Sequence, residues 1–409
     1  MAVRLLGMDI TFRPIEADEV GRYLREIDRA FGEALSDEEV ELYARTVELD
    51  RTLIACEGER WVGTSGIRSQ ELTLPGGARV SNAGVTAVGV RPTHRRRGIL
   101  TEMMRRLHDD ARERGEPTAA LLASEAAIYG RYGYGVASEY RAVTIDTLRT
   151  TLPDAPPGRV ELLDPASSEE LVLDVYDRAR SARHGQVTRT AGWAERYLAD
   201  RPDWRDGAGP LELSVSYDLD GTVDGYAMWR LKPKWDQNQP GGTIVVVEVI
   251  AVTDAARVRL HQHLMSIDLA TAVQLDRSDP SDPTPLALTD PRSYRTTAVG
   301  DYLWVRVLDP VAALAARSYE VEDDLVLEVH DGDEVTTVAL EAGPEASCTT
   351  TTREPDLVCP ISTLGSLLLG GIRPTAVATL GRLTGEATAL QKADKVFVTT
   401  QSPYCQTMF

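Results

Sequence analysis

Lysine is nearly missing from this chain. Only Lys232, Lys234, Lys392 and Lys395 stand among its 44 basic residues, the rest being arginine, and 63 acidic residues bring the formal net charge over 409 residues to -19. So negative a surface disfavours nucleic acid and anionic membranes while gathering cations around it. The expected partner is a cationic amine small molecule, with no nucleic acid and no membrane. Cysteine is scarce as well: Cys56, Cys348, Cys359 and Cys405 form no C-x-x-C pair, which argues against a disulfide framework or a zinc site and for reduced, buried thiols. No run of about 18 apolar residues is free of charge, and the N-terminal "MAVRLLGMDITFRPIE" reaches Asp9 before a signal-peptide core forms. The expected location is the cytoplasm. At this length a chain makes roughly two to four domains, each able to bury its own core.

Against this background stands "RPTHRRRGIL", Arg91 to Leu100, with three consecutive arginines before a glycine. Upstream, "VTAVGV" is a β-branched run of strand length, and Pro92 then removes a backbone donor and ends it. Downstream, Ile99, Leu100, Met103, Met104 and Leu107 recur at helical spacing, predicting a helix that ends near Gly115. The arginines and Gly98 therefore sit at a strand-to-helix turn. The first turn of a helix carries unsatisfied N–H groups and the positive end of the macrodipole. A glycine there lets the backbone approach an anion closely, and guanidinium groups add charge and bidentate contacts. No G-K-[ST] follows, which excludes a P-loop, and no G-x-G-x-x-G lies nearby.

These residues resemble the acetyl-CoA signature of GNAT-superfamily N-acetyltransferases, R/Q-x-x-G-x-G/A at a helix start after a splayed strand. On that pattern the loop is Arg95, Arg96, Arg97, Gly98, Ile99 and Leu100, with Leu100 standing where many members have Gly or Ala. A second stretch, "ASEAAIYGRYGYGVAS" from Ala123 to Ser138, together with the three-arginine loop, resembles the Eis (enhanced intracellular survival) branch. The resemblance implies an α/β chain of tandem GNAT folds, each a mixed sheet flanked by helices, followed by a sterol-carrier-protein-like α/β domain. The expected divisions are residues 1–153, 154–299 and 300–409. "DAPPGRVELLD" reads as a linker into the second part. "TIVVVEVIAVTDAARVRLHQHLMSIDLA" repeats the strand-turn-helix layout, with Asp254 where a pyrophosphate would be repelled, so one acetyl-CoA site per chain is expected. In the third part "HDGDE" reads as a hairpin turn, and the apolar helices as core and oligomer interface. The resemblance suggests a hexamer.

Acetyl transfer requires an amine to lose a proton, a carbonyl to be polarised and a leaving thiolate to be protonated. Backbone N–H groups of Val88, Gly89 and Val90 suit the carbonyl and the pantetheine arm, with Gly89 the expected site of a strand-opening bulge. A tyrosine, of ordinary pKa about 10 against about 8.5 for a thiol, can supply the proton. Of Tyr129, Tyr132 and Tyr134, the resemblance assigns that role to Tyr129, and it places Ser124 beside the cofactor. It also implies that the α-carboxylate of the C-terminal Phe409 is the general base, although Met408 stands where relatives carry an acidic residue. The acidic run "EALSDEEVELY" reads as a helix start capped at Ser36, with Glu33 and Glu38 as a rim attracting amines. His261 and His263, two apart on a helix, diverge, so no metal is expected. Trp193, Trp204, Trp229, Trp235 and Trp304 read as core or interface. The resemblance implies aminoglycosides as acceptors and direct transfer in a ternary complex. A polyamine or protein-lysine acetyltransferase and a non-catalytic acyl-CoA or lipid-binding regulator stay open as alternatives.

Overall fold

A computed structural model describes residues 2–5, 8–153 and 156–409. It divides into two compact units: residues 1–138 with 302–403 and 407–409, and residues 139–301 with 404–406.

The first unit opens with a mixed sheet. Its strands run in the order Ala2–Leu5, Met8–Arg13, Thr52–Glu57, Arg60–Thr73, Arg79–Val90, Thr118–Leu122, Leu303–Val307 and Gly135–Val136. Neighbours are antiparallel except Arg79–Val90 and Thr118–Leu122, which run parallel and are joined by the helix Ile99–Glu113. That helix buries Ile99, Met103, Met104, Leu107 and Ala111 in the same core as Val85 and Leu121. Each large side chain so buried contributes about 1.5–3 kcal/mol. Gly115, at φ +74°, follows the last turn, as the sequence predicts.

The parallel pairing is short. It covers Asn82–Thr118 to Gly84–Ala120 and goes no further, so from Val85 onward the strand pairs only with Arg60–Thr73. On that side Gly66 pairs with Thr86 and Thr64 with Gly89, leaving Ala87 and Val88 opposite Ser65 alone. The bulge therefore lies at Ala87–Val88 and not at Gly89. Ala87 takes φ +59°, and its carbonyl accepts a hydrogen bond from Thr64 Oγ1 at 3.0 Å. Gly89 stays in the ladder; its missing side chain leaves room for Ala30, whose Cβ would lie 3.2 Å from an added one.

The C-terminal part of this unit carries a five-stranded sheet, ordered Ser347–Thr350, Glu334–Ala342, Asp323–Asp331, Leu357–Pro360 and Thr384–Gly385. The hairpin turns at Gly332, φ +64°, within "HDGDE". Helix Ile361–Leu368 lies directly on the first sheet. Added Cβ atoms at Gly135 and Gly365 would meet Ser362 O at 2.0 Å and Val305 O at 2.2 Å, so backbone touches backbone only because both are glycine.

In the second unit a seven-stranded sheet repeats the plan. Its order is Tyr294–Asp301, Glu139–Asp146, Ala270–Ser278, Gly242–Ala251, Val223–Lys232, Glu212–Tyr217 and Arg159–Leu163. Gly242–Ala251 and Ala270–Ser278 form the parallel pair, joined by the helix Asp254–Met265. That helix, unlike Ile99–Glu113, is capped: Thr253 Oγ1 accepts from Ala256 N–H at 3.1 Å. His261 and His263 point apart, to Thr284 Oγ1 at 2.6 Å and Ser214 Oγ at 2.9 Å. All four cysteines are buried, and none is in a disulfide. Trp193, Trp229 and Trp304 are buried, but Trp235 is exposed, in the tip of a two-stranded hairpin. Among the described residues no helix is long and apolar enough to cross a membrane.

Candidate functional site

The turn between Val90 and Ile99 owes its shape to two left-handed residues. Arg91 N–H donates to Val62 O at 2.9 Å and a single 3-10 turn covers Pro92–His94. Arg96 and Gly98 then take φ +60° and +84°. Glycine does so freely, whereas for Arg96 the conformation costs about 1–3 kcal/mol, a cost found mainly where a loop has work to do. Buried His94 pins the turn from below, its ring between Thr93 Oγ1 at 2.8 Å and Glu57 Oε2 at 3.3 Å. Gly98 is the N-cap of helix Ile99–Glu113, and no side chain among the described residues caps it. The N–H groups of that first turn and the exposed Arg95 and Arg96 form one positive surface. Ile99 is buried, and Arg97 and Leu100 are half-buried.

Beside this turn opens a cavity of about 660 Å³. Val88, Gly89, Val90, Arg95 and Ser124 belong to its wall, so the structure brings together these five sequence-predicted residues. Facing strand residues Trp61 to Thr64 and helix residues Ala30 and Phe31 supply much of the rest. The wall does not include Arg96, Arg97, Gly98, Ile99, Leu100, Tyr129 or Phe409.

Tyr129 ends the short helix Ala126–Tyr129 and is buried. Desolvation pushes its hydroxyl above the ordinary tyrosine pKa, and a smaller opposing effect comes from a hydrogen bond with Ser124. Ser124 thus connects the cavity wall to the tyrosine. Tyr134 packs edge-on against Tyr129 with centroids 6.2 Å apart, and its hydroxyl meets His108 Nε2 at 3.0 Å. Burial holds His108 well below its usual pKa. Tyr132 is half-buried and reaches Thr101 Oγ1 at 3.4 Å.

Of the acidic residues, Glu33 and Glu38 are exposed and lie outside the cavity wall. The run they belong to is a capped helix start, with Ser36 and Glu39 forming a reciprocal capping box. The carboxylates on the wall are Glu26 and Glu125. Glu26 pairs with Arg91 through both oxygens, at 2.8 and 2.9 Å. Neither glutamate carried a distinct sequence signal beyond the adjacency of Glu125 to Ser124. At the C-terminus, Thr407 is buried and its carbonyl accepts from Tyr302 OH at 3.3 Å, while Phe409 is half-buried.

Comparison with known proteins bears on the whole chain. Residues 11–137 and 185–307 each match an acetyltransferase (GNAT) domain family, and residues 310–406 match a sterol carrier protein domain family. A Streptomyces avermitilis protein named as an N-acetyltransferase is 37% identical over 97% of this chain and 99% of its own length. N-acetyltransferase Eis of Mycobacterium bovis is 34% identical over 94% of this chain and 95% of its own. The crystal structure of Eis1 from Mycobacterium abscessus superposes with a TM-score of 0.86 at 32% identity, covering 98% of this chain and 100% of that one.

Proposed function

Because the chain belongs to the Eis family of GNAT-type N-acetyltransferases, we propose that it acetylates primary amines of cationic small molecules, aminoglycosides above all, by direct transfer in a ternary complex. We place it in the cytoplasm as a homo-oligomer, a hexamer on family likeness. The observation that carries the reading is the cavity running from the positive turn to Ser124 along the bulged strand.

The residues present fit acetyl-CoA, the co-substrate of GNAT acetyltransferases. The uncapped helix start at Gly98 and the guanidinium groups of Arg95, Arg96 and Arg97 suit a pyrophosphate, and Ile99 and Leu100 set the helix behind it. Bound acetyl-CoA supplies the activated acetyl group as a thioester. The bulge frees Val88 from its ladder partner, so backbone N–H groups along Val88, Gly89 and Val90 are disposed to polarise a carbonyl oxygen. Tyr129, kept protonated by burial, is the acid for the leaving sulfur. The Phe409 carboxylate is the base, holding the ammonium and relaying its proton. Glu125, on the cavity wall, is a carboxylate for a cationic acceptor beside the Glu33 and Glu38 rim, whereas Glu26 is paired with Arg91.

The test is acetyl-CoA-dependent thiol release by protein with a free C-terminus, against aminoglycosides, polyamines and lysine peptides. Turnover greatest with aminoglycosides is expected. Turnover confined to polyamines or lysine peptides would reassign the acceptor and leave the chemistry standing.

A further inference from the structure

The segment that carries Tyr129 closes on itself through local hydrogen bonds. Helix Ala126–Tyr129 runs directly into a 3-10 turn, Gly130–Tyr132. Gly133, at φ +81°, ends that turn with its N–H donating to Gly130 O at 3.2 Å, and Tyr134 N–H reaches back to Tyr129 O at 3.3 Å. Bonds of this kind shape a turn without fixing where it sits, and Gly130, Gly133 and Gly135 give the chain many other conformations to visit.

The anchor comes from the C-terminal part of the same unit. Gly135 and Val136 pair with Val305 and Trp304. Next along that strand, Arg306 is only 6% exposed and spans two elements. Its Nη1 donates to Tyr132 O at 2.7 Å, and its Nη2 to Asp331 Oδ2 at 2.5 Å. Gly133 makes room for it: an added Cβ there would lie 1.6 Å from Arg306 Nη1. Asp331 ends strand Asp323–Asp331, just before the hairpin turn at Gly332, within the residues that match the sterol carrier protein family. Its Oδ2 also lies 3.3 Å from Arg112 Nη2, near the end of helix Ile99–Glu113. Arg112 is exposed, so this second pair contributes little. Arg306 is different, because a guanidinium so buried needs a counter-charge. Asp331 supplies it, and the planar fork of arginine leaves another nitrogen for the Tyr132 carbonyl.

We propose that the sterol-carrier-like part positions the general acid: Asp331 holds Arg306, and Arg306 holds the Tyr132 carbonyl, so that Tyr129 stands at a fixed place for the leaving sulfur. Arg306 and Asp331 are positioning residues, a role that rests on Tyr129 acting as the acid. Tyr132 follows Tyr129 by three residues, about one turn of 3-10 helix, so a pull on the one is felt by the other. Without Asp331 the guanidinium turns toward water and releases Tyr132. A displacement of about 1 Å in a reacting group can lower the rate by about 10²-fold.

A double-mutant cycle tests this. It takes kcat and KM from acetyl-CoA-dependent thiol release, with the acceptor turned over fastest, for wild type, Asp331→Ala, Tyr129→Phe and the double variant. Asp331→Ala should lower kcat by about tenfold or more and change the acetyl-CoA KM by less than about twofold. In the Tyr129→Phe background the same substitution should have almost no further effect on kcat, because the group it positions is gone. Should Asp331→Ala fail to fold, Arg306→Lys takes its place, keeping the charge but losing the fork that spans Tyr132 O and Asp331. Equal losses in both backgrounds overturn the positioning role and leave Tyr129 as the acid, as does unchanged kcat in Asp331→Ala. Unchanged kcat in Tyr129→Phe overturns the acid, and the positioning role with it.

Discussion

Tyr129 and Ser124 show what a single hydrogen bond is expected to do at this site. A buried phenol loses more solvation on ionising than on staying neutral, so burial raises its pKa, while a hydrogen bond from Ser124 favours the anion and pulls it back. If the phenol must be protonated to act, activity is lost as pH rises through its pKa, and that alkaline limb should lie above the ordinary tyrosine value of about 10. Ser124→Ala removes the opposing effect and should move the limb higher still. Tyr129→Phe should cut kcat by about 10²–10⁴-fold with little change in acetyl-CoA affinity, measured by titration of the apoprotein. Unchanged kcat would take Tyr129 out of the mechanism. The sequence motif singled out both residues, but their mutual contact was not legible there. Nor were Glu26 and Glu125: a cavity wall collects residues from several strands and one helix, whereas the prediction of Glu33 and Glu38 drew on a run of neighbours. Within that run Ser36 and Glu39 form the capping box of a helix, a common use of an acidic residue at a helix start.

At the scale of elements, the strand-turn-helix unit was legible because each part has a local cause: β-branched residues, Pro92, Gly98 and a helical apolar stripe. The bulge was misplaced by two residues. Gly89 looked like the residue with unusual torsions, yet the left-handed φ falls on Ala87, and Gly89 serves a close approach to Ala30. The insertion of Leu303–Val307 into the first sheet left no mark at all, since register and partner are non-local and a five-residue apolar run fits many sheets. Two glycines separate torsion from space experimentally. Gly98→Ala puts a Cβ on a residue at φ +84°, which costs about 1–2 kcal/mol locally and should act on the turn, raising the acetyl-CoA KM more than it lowers kcat. Gly365→Ala meets Val305 O at 2.2 Å, and since neither backbone can yield without parting helix from strand, it should destabilise the whole unit by about 1–3 kcal/mol or more. Urea unfolding of both proteins distinguishes them: a large loss of stability in Gly98→Ala with normal KM would contradict this division.

For the whole molecule, the charge of -19 was fully legible, but how protons couple to folding was not, because that depends on which of six histidines are buried. Burial holds His108, His261 and His263 below the usual histidine pKa. The sign follows from linkage. Above the unfolded value of about 6.5 these rings are neutral in both states and stability is at its full level. As pH falls below about 6.5 the unfolded chain takes up protons that the folded chain resists, so each ring costs stability with a slope of up to about 1.4 kcal/mol per pH unit, until the folded pKa is reached. Carboxylates held low by ion pairs, such as Glu19 beside Arg13 at about 2, act in the same direction but only below about 4.5. The melting temperature should therefore begin to fall near pH 6.5, well before the carboxylate range. His108 hydrogen-bonds Tyr134, and Arg306 and Arg112 oppose a positive ring there. His108→Gln, which keeps a hydrogen-bonding group and cannot titrate, should flatten the fall between pH 6.5 and 5 by about one proton's worth, read as a smaller pH dependence of urea midpoints. An undiminished slope in that variant would mean that the proton uptake belongs to other groups.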